Sequence, residues 1–170
     1  MTELTHEDMG YDASARHPSW HIAEAEALEA RARGHRETAA HMDRQLREAN
    51  EALRMSEASK IPVDRSAVQL TDGSPVPEDR SHVRITPTGM QAGYVVLSDE
   101  ERTKGFVRPY RDAYKHDKCG SVTTMGRALS ETYARDPYFY SGTFCATCKA
   151  HFPVGEDGEF TWLDGQRVGA

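Results

Sequence analysis

The chain has 170 residues, a net charge of −6, 38% hydrophobic residues and 28% charged residues. That length allows one or two small domains, and so low an apolar fraction excludes one large core. The acidic balance argues against a general binder of nucleic acid or anionic membranes, and no apolar run approaches the roughly 18 residues of a membrane span.

Residues 1–17 read as a polar tail, broken by Gly10, Asp12 and Ser14. This stretch is acidic and lacks the basic and apolar regions of a secretion signal. The expected setting is therefore a reducing cytoplasm, not a secreted one. Residues 18–57 are rich in Ala, Glu, Arg and Leu, all strong helix formers. Ala25, Leu28, Ala32, Ala39, Met42, Leu46, Ala49 and Leu53 recur at alternating spacings of three and four, interrupted at His35. Two forms satisfy this pattern. One is a long coiled-coil helix. The other, which the stop signal of Gly34 after Arg31 and Arg33 favours, is a helical hairpin turning at Gly34-His35. Isolated helices of this length are marginal in water. Their seam, through Leu28, Met42, Leu46 and Leu53, is the expected interface with a protein partner or a second copy of the chain. His21, His35 and His41 read as solvated.

Residues 58–92 carry turn and linker chemistry around Pro62, Gly73, Pro75 and Pro77, and read as an extended arm with a short strand at 83–85. Residues 93–170 form the last unit. Tyr94-Val95-Val96-Leu97 is a strand. Ser98 and Glu101 then match a capping box for a helical turn ending near Gly105. Residues 106–114 alternate partly, with Pro109 suggesting an edge strand. Thr123 or Thr124 is the expected cap of a helix ending before Asp136-Pro137, with Met125, Leu129, Thr132 and Tyr133 on one face. A closing strand is expected at 159–163, then a turn at Asp164-Gly165.

All three cysteines lie between His116 and His151. His116-x-x-Cys119 and Cys145-x-x-Cys148 are two units of the spacing that lets a tight turn chelate one ion. Soft thiolate and imidazole donors in a set of four suit tetrahedral zinc. Gly120 follows the first pair, where such a turn needs a positive φ. The expected ligands of one zinc per chain are His116, Cys119, Cys145 and Cys148, with His151 as the alternate imidazole. A redox motif would lie between a strand and a helix, whereas Phe152-Pro153-Val154 reads as strand. Inert buried thiols are the remaining reading. The aromatics beside the knuckles read as a small core around the metal.

The run Lys104-Gly105-Phe106-Val107-Arg108-Pro109-Tyr110, the His116-x-x-Cys119-Gly120 knuckle, Glu131-Thr132-Tyr133-Ala134-Arg135 and the segment from Cys145 to Val154 resemble small zinc-ribbon-like proteins of unassigned function from tailed bacteriophages and related bacterial genomes. The resemblance covers about the last 80 residues. It implies a zinc fold and a phage or prophage setting, hence a bacterial host cytoplasm or a virion, and implies no activity. The His-Cys₃ set departs from the usual four-cysteine ribbon.

The expected class is α+β: a helical hairpin or long helix, a linker, and a zinc-stapled domain of short antiparallel strands with one helix. The expected function is a non-enzymatic interaction or structural protein, because four protein ligands leave zinc no open position. A nucleic-acid module using Arg102, Lys104, Arg108, Arg111, Lys115 and Lys118, interleaved with Phe106, Tyr110 and Tyr114, ranks second. A zinc-dependent hydrolase or nuclease ranks third.

Overall fold

A computed structural model describes residues 18–170, so the expected tail at 1–17 lies outside the described residues. The chain divides into two units, Met1–Ala49 and Asn50–Ala170. A single helix, α1 (Pro18–Ser59), runs through the division. The long-helix form is the one adopted, and the hairpin is not. Gly34 is helical, and the oxygen of its peptide accepts a 2.9 Å hydrogen bond from the Thr38 hydroxyl. A glycine inside an exposed helix costs only about 1 kcal/mol relative to alanine, which the flanking Ala, Glu and Arg residues absorb. Leu28, Met42, Leu46 and Leu53 all stand 60–63% exposed.

The second unit is α+β. Its elements are β1 (Val68–Leu70), β2 (Val95–Leu97), α2 (Asp99–Thr103), β3 (Ala113–His116), β4 (Val122–Thr124), α3 (Arg127–Arg135), β5 (Gly142–Cys145), β6 (Ala150–Pro153) and β7 (Phe160–Trp162). They form three small antiparallel sheets, ordered β1-β2, β4-β3-β7 and β5-β6. Half of the expected capping box is present: the Ser98 side chain accepts from the Glu101 N–H, but the Ser98 N–H bonds the Ala67 carbonyl and the Glu101 carboxylate turns to Arg135 instead. The turn after β7 is closed by Gly165, at φ 90°, whose N–H bonds the Trp162 carbonyl.

Several local expectations give way to tertiary packing. The segment 58–92 is no free arm: β1 pairs with β2 from Val68 opposite Leu97 to Leu70 opposite Val95. Gly89, at φ 85°, lies so close to Lys149 that a side chain there would meet the Lys149 carbonyl oxygen at 1.9 Å. Residues 83–85 are not a strand, because Ser81–Val83 is a turn of 3₁₀ helix and only Ile85 makes a bridge, to Gln91. No strand occupies 106–112; it starts at Ala113, where pairing to β4 and β7 becomes available. Thr123 and Thr124 belong to β4, and α3 starts instead from Gly126 without a side-chain cap.

Tyr114, Tyr133, Cys145, Phe160, Trp162 and Val168 form the core. Tyr114 meets Phe160 edge-on at 5.3 Å, and Trp162 receives Tyr133 edge-on at 5.5 Å. Such offset contacts add to area burial alone. A second device sits beside the core. Arg135, wholly buried, donates to Glu101 at 3.0 and 3.2 Å and to the carbonyls of Ala58, Ile61 and Pro62 at 3.0–3.2 Å. Those carbonyls belong to the last turn of α1 and the chain leaving it, where helical partners run out. Arg135 therefore caps the end of α1, while Arg65 binds the neighbouring Asp136 through two bonds of 2.6 and 2.9 Å.

Removing one partner from a buried ion pair strands the other charge. Arg135→Met should lower the unfolding free energy by about 3–5 kcal/mol in urea titrations, and a further Glu101→Leu change should restore part of it. Burial alone would raise the Glu101 pKa, but the bonds from Lys104 and Arg135 outweigh it and hold the carboxyl below its usual value. Its contribution is thus present above the unfolded carboxylate pKa of about 4.3 and is lost as pH falls through the lower folded value. Acid titration should show this limb in the wild type and a smaller one in Arg135→Met, where Lys104 still binds the carboxylate.

Candidate metal centre

Two hairpins deliver the four predicted ligands. The β3–β4 turn carries His116 and Cys119; the β5–β6 turn carries Cys145 and Cys148. Each turn closes the same way. The N–H of Gly120 bonds the His116 carbonyl at 2.7 Å, and the N–H of Lys149 bonds the Cys145 carbonyl at 2.8 Å. Both residues adopt positive φ, 72° at Gly120 and 53° at Lys149. The expectation at Gly120 is met, while Lys149 holds the same conformation without glycine's freedom. The second turn is also held to the first hairpin by the Ala146 N–H, which donates to the Thr123 hydroxyl at 3.1 Å.

The four donor atoms of His116, Cys119, Cys145 and Cys148 all lie within 4.8 Å of one another. Cys119 Sγ stands 3.7 Å from Cys145 Sγ, and His116 Nδ1 stands 3.2 Å from Cys119 Sγ and 3.5 Å from Cys148 Sγ. A tetrahedral ion with bonds of about 2.3 Å to sulfur and about 2.0 Å to nitrogen has edges of roughly 3.8 Å between sulfurs and roughly 3.6 Å between sulfur and nitrogen. These three separations match such edges to within a few tenths of an ångström, and all four donors lie within 4.8 Å of one another. All three cysteines are free, and 3.7 Å is far beyond the roughly 2.05 Å of a disulfide. These four residues are positioned to hold a metal ion.

His151, the alternate ligand, is directed elsewhere. In the β5–β6 ladder Cys145 pairs with Ala150, while Phe144 pairs with His151. Side chains of successive strand residues point to opposite faces, so His151 falls on the face away from Cys145. There its Nε2 meets the Tyr94 hydroxyl at 3.0 Å, and its ring packs against Phe144.

Glu159 is the functional residue that motif spacing missed. It lies just before β7, which pairs His116 with Phe160. Its carboxylate stands 3.0 Å from His116 Nε2 and is held in turn by Lys118 at 2.7 Å. A ligating imidazole commonly donates its second N–H to a carboxylate, which fixes its tautomer and strengthens it as a donor. His116 is buried against Phe152 at 4.5 Å and Phe160 at 4.8 Å, so the aromatics do form a small core beside the cluster. Burial would lower the His116 pKa, but Glu159 and the Cys119 sulfur raise it above the usual value. Ser121 foremost holds the Cys119 thiol down to about 6, whereas lost hydration and the neighbouring sulfurs push Cys148 up to about 11. Without an ion the cluster favours the Cys119 thiolate and disfavours that of Cys148.

The six cations proposed for nucleic acid are mostly engaged elsewhere. Arg102 bonds Asp99 and, at 2.9 Å, Glu131; Lys104 bonds Glu101; Arg111 bonds Asp164 at 2.7 Å; Lys118 bonds Glu159. Tyr114 is buried, its hydroxyl on the Phe144 carbonyl, so it offers no stacking face. Arg108 and Lys115 make no ion pair among the described residues, and Tyr110 stands 44% exposed. Among the described residues no helix is long and apolar enough to cross a membrane.

No family model matches the chain, and neither a curated protein nor a solved structure does.

Two substitutions test this geometry through metal affinity. Glu159→Gln should weaken binding by about 10–100-fold while leaving stoichiometry intact. His151→Ala should leave affinity unchanged in the same competition titration against a chromophoric chelator. Loss of metal in His151→Ala would move the fourth ligand from His116 to His151.

Proposed function

We propose that this chain is a zinc-stabilised structural or interaction protein that works by protein–protein contact, not by catalysis. The observation that carries the reading is the convergence of three sulfurs and one imidazole nitrogen within 4.8 Å of one another. Thiolates in tetrahedral geometry suit zinc. A four-ligand set closes the ion, which supports a structural role over a hydrolase or nuclease, since those need an open position. The short strands also support it, because isolated two-stranded hairpins are marginal in water.

The contact surface in this reading is the seam of α1 through Leu28, Met42, Leu46 and Leu53. Its support is the alternating spacing of three and four combined with an exposure of 60–63% at all four positions. The occupant is the helix of another protein chain, a second copy being the simplest. A nucleic-acid role has weaker support, because four of its six cations already bind carboxylates. The phage or prophage setting rests on the resemblance of about the last 80 residues alone.

Purified without chelators, the chain should contain one zinc ion. Cys148→Ser should remove it and unfold the domain around the knuckles, because metal binding and folding are coupled in small domains. Leu46→Asp with Leu53→Asp should reduce assembly in sedimentation velocity while zinc content stays unchanged. A wild-type chain that is free of zinc would overturn the first half of the proposal, and one that sediments only as a monomer would overturn self-association.

A further inference from the structure

The charges that flank the seam of α1 discriminate between directions of pairing. Along the spacing of three and four, Ala25, Ala32, Ala39, Leu46 and Leu53 take the first core position of a heptad, and Leu28, His35, Met42, Ala49 and Ser56 take the second. One flank of the core then carries Glu24 and Arg31, followed by the uncharged Thr38, Gln45 and Ala52. The other flank carries Glu29, Arg36, Asp43, Asn50 and Glu57. All of these flanking residues are exposed. Glu29 has a partner within the helix, Arg33 at 3.9 Å, whereas neither Arg36 nor Asp43 makes an ion pair among the described residues.

We propose that α1 pairs with the α1 of a second copy in antiparallel orientation, about a two-fold axis between Ala40 and His41. This rests on the reading of the seam as a self-association surface and adds its direction and register. In a parallel, in-register pair each residue of one flank meets the residue five positions further on in the other flank of its partner. Glu24 would then face the partner's Glu29, and Arg31 the partner's Arg36, each twice by symmetry, with no opposite charges brought together. Like charges across an interface disfavour that arrangement. Reversing one helix sets each flank against its own copy. With the axis between Ala40 and His41, Arg36 meets the partner's Asp43 twice and no like charges meet. The core fits as well: Leu28 packs on the partner's Leu53, Ala32 on the partner's Ala49, and Ala39 on the partner's Met42. The neighbouring registers fail on charge. An axis at Glu37 sets Arg36 against itself and Glu29 against Asp43, and an axis at Arg44 sets Asp43 against itself and Glu29 against Glu57. More distant registers run Leu28 or Leu53 past the end of the partner helix.

The test uses the full zinc-loaded chain in sedimentation equilibrium. Arg36→Glu turns both Arg36–Asp43 contacts into repulsions and should weaken the dimer about tenfold. Adding Asp43→Arg restores opposite charges and should recover most of the loss, with zinc content unchanged throughout. In a parallel pair the same Arg36→Glu would face Arg31 and tighten the dimer. Direction is read independently by photo-crosslinking with p-benzoylphenylalanine in place of Asn50. It should capture the tryptic peptide that carries the partner's Glu29, not the one that carries residue 50 itself. The orientation is overturned, with self-association intact, if Arg36→Glu tightens the dimer or leaves it unchanged, if Asp43→Arg fails to rescue it, or if residue 50 crosslinks to its own segment. A strictly monomeric wild type would leave the seam to a different chain and overturn self-association as well.

Discussion

Three sulfurs and one imidazole nitrogen, drawn from two hairpins of different sheets, have to meet around a single point. Each hairpin is too short to hold itself, with paired strands of three or four residues. Their joining depends on the donor cluster and on what surrounds it. Phe152 from one sheet and Phe160 from the other both pack against the His116 ring and near each other, and Glu159 fixes its orientation. The N–H of Gly120 and the N–H of Lys149 shape the two turns alike, so both present their donors to a common centre.

A second constraint is independent of the cluster. The last turn of α1 leaves carbonyls without helical partners, and Arg135 reaches them from α3 while pairing with Glu101 from α2. One buried guanidinium thereby links three helices. Such a charge is tolerated only because each of its donors finds an acceptor. The neighbouring Arg65–Asp136 and Arg102–Glu131 pairs extend the same polar layer.

The ligand set was legible because chelation from a tight turn imposes a spacing of its own. So were the Ser98 cap, the closing strand and the positive φ at Gly120, each governed by neighbours within a few residues. Glu159 was not, since its role arises only when β7 pairs with β3 and brings it to a histidine distant in sequence. The choice between His116 and His151 turned on strand alternation: once Cys145 faces inward, His151 cannot. Gly34 misled toward a hairpin because a glycine that ends one helix is tolerated within another when strong helix formers flank it on both sides. Segment 58–92 reads as linker because its single short strand has few residues and draws its order from β2.

Zinc K-edge X-ray absorption on the chain purified without chelators tests the centre most directly. Three sulfur scatterers at about 2.3 Å and one nitrogen at about 2.0 Å are the predicted first coordination sphere, with the nitrogen lost in His116→Ala. A water or second imidazole in place of one sulfur, or no metal at all, would contradict the His116, Cys119, Cys145 and Cys148 site.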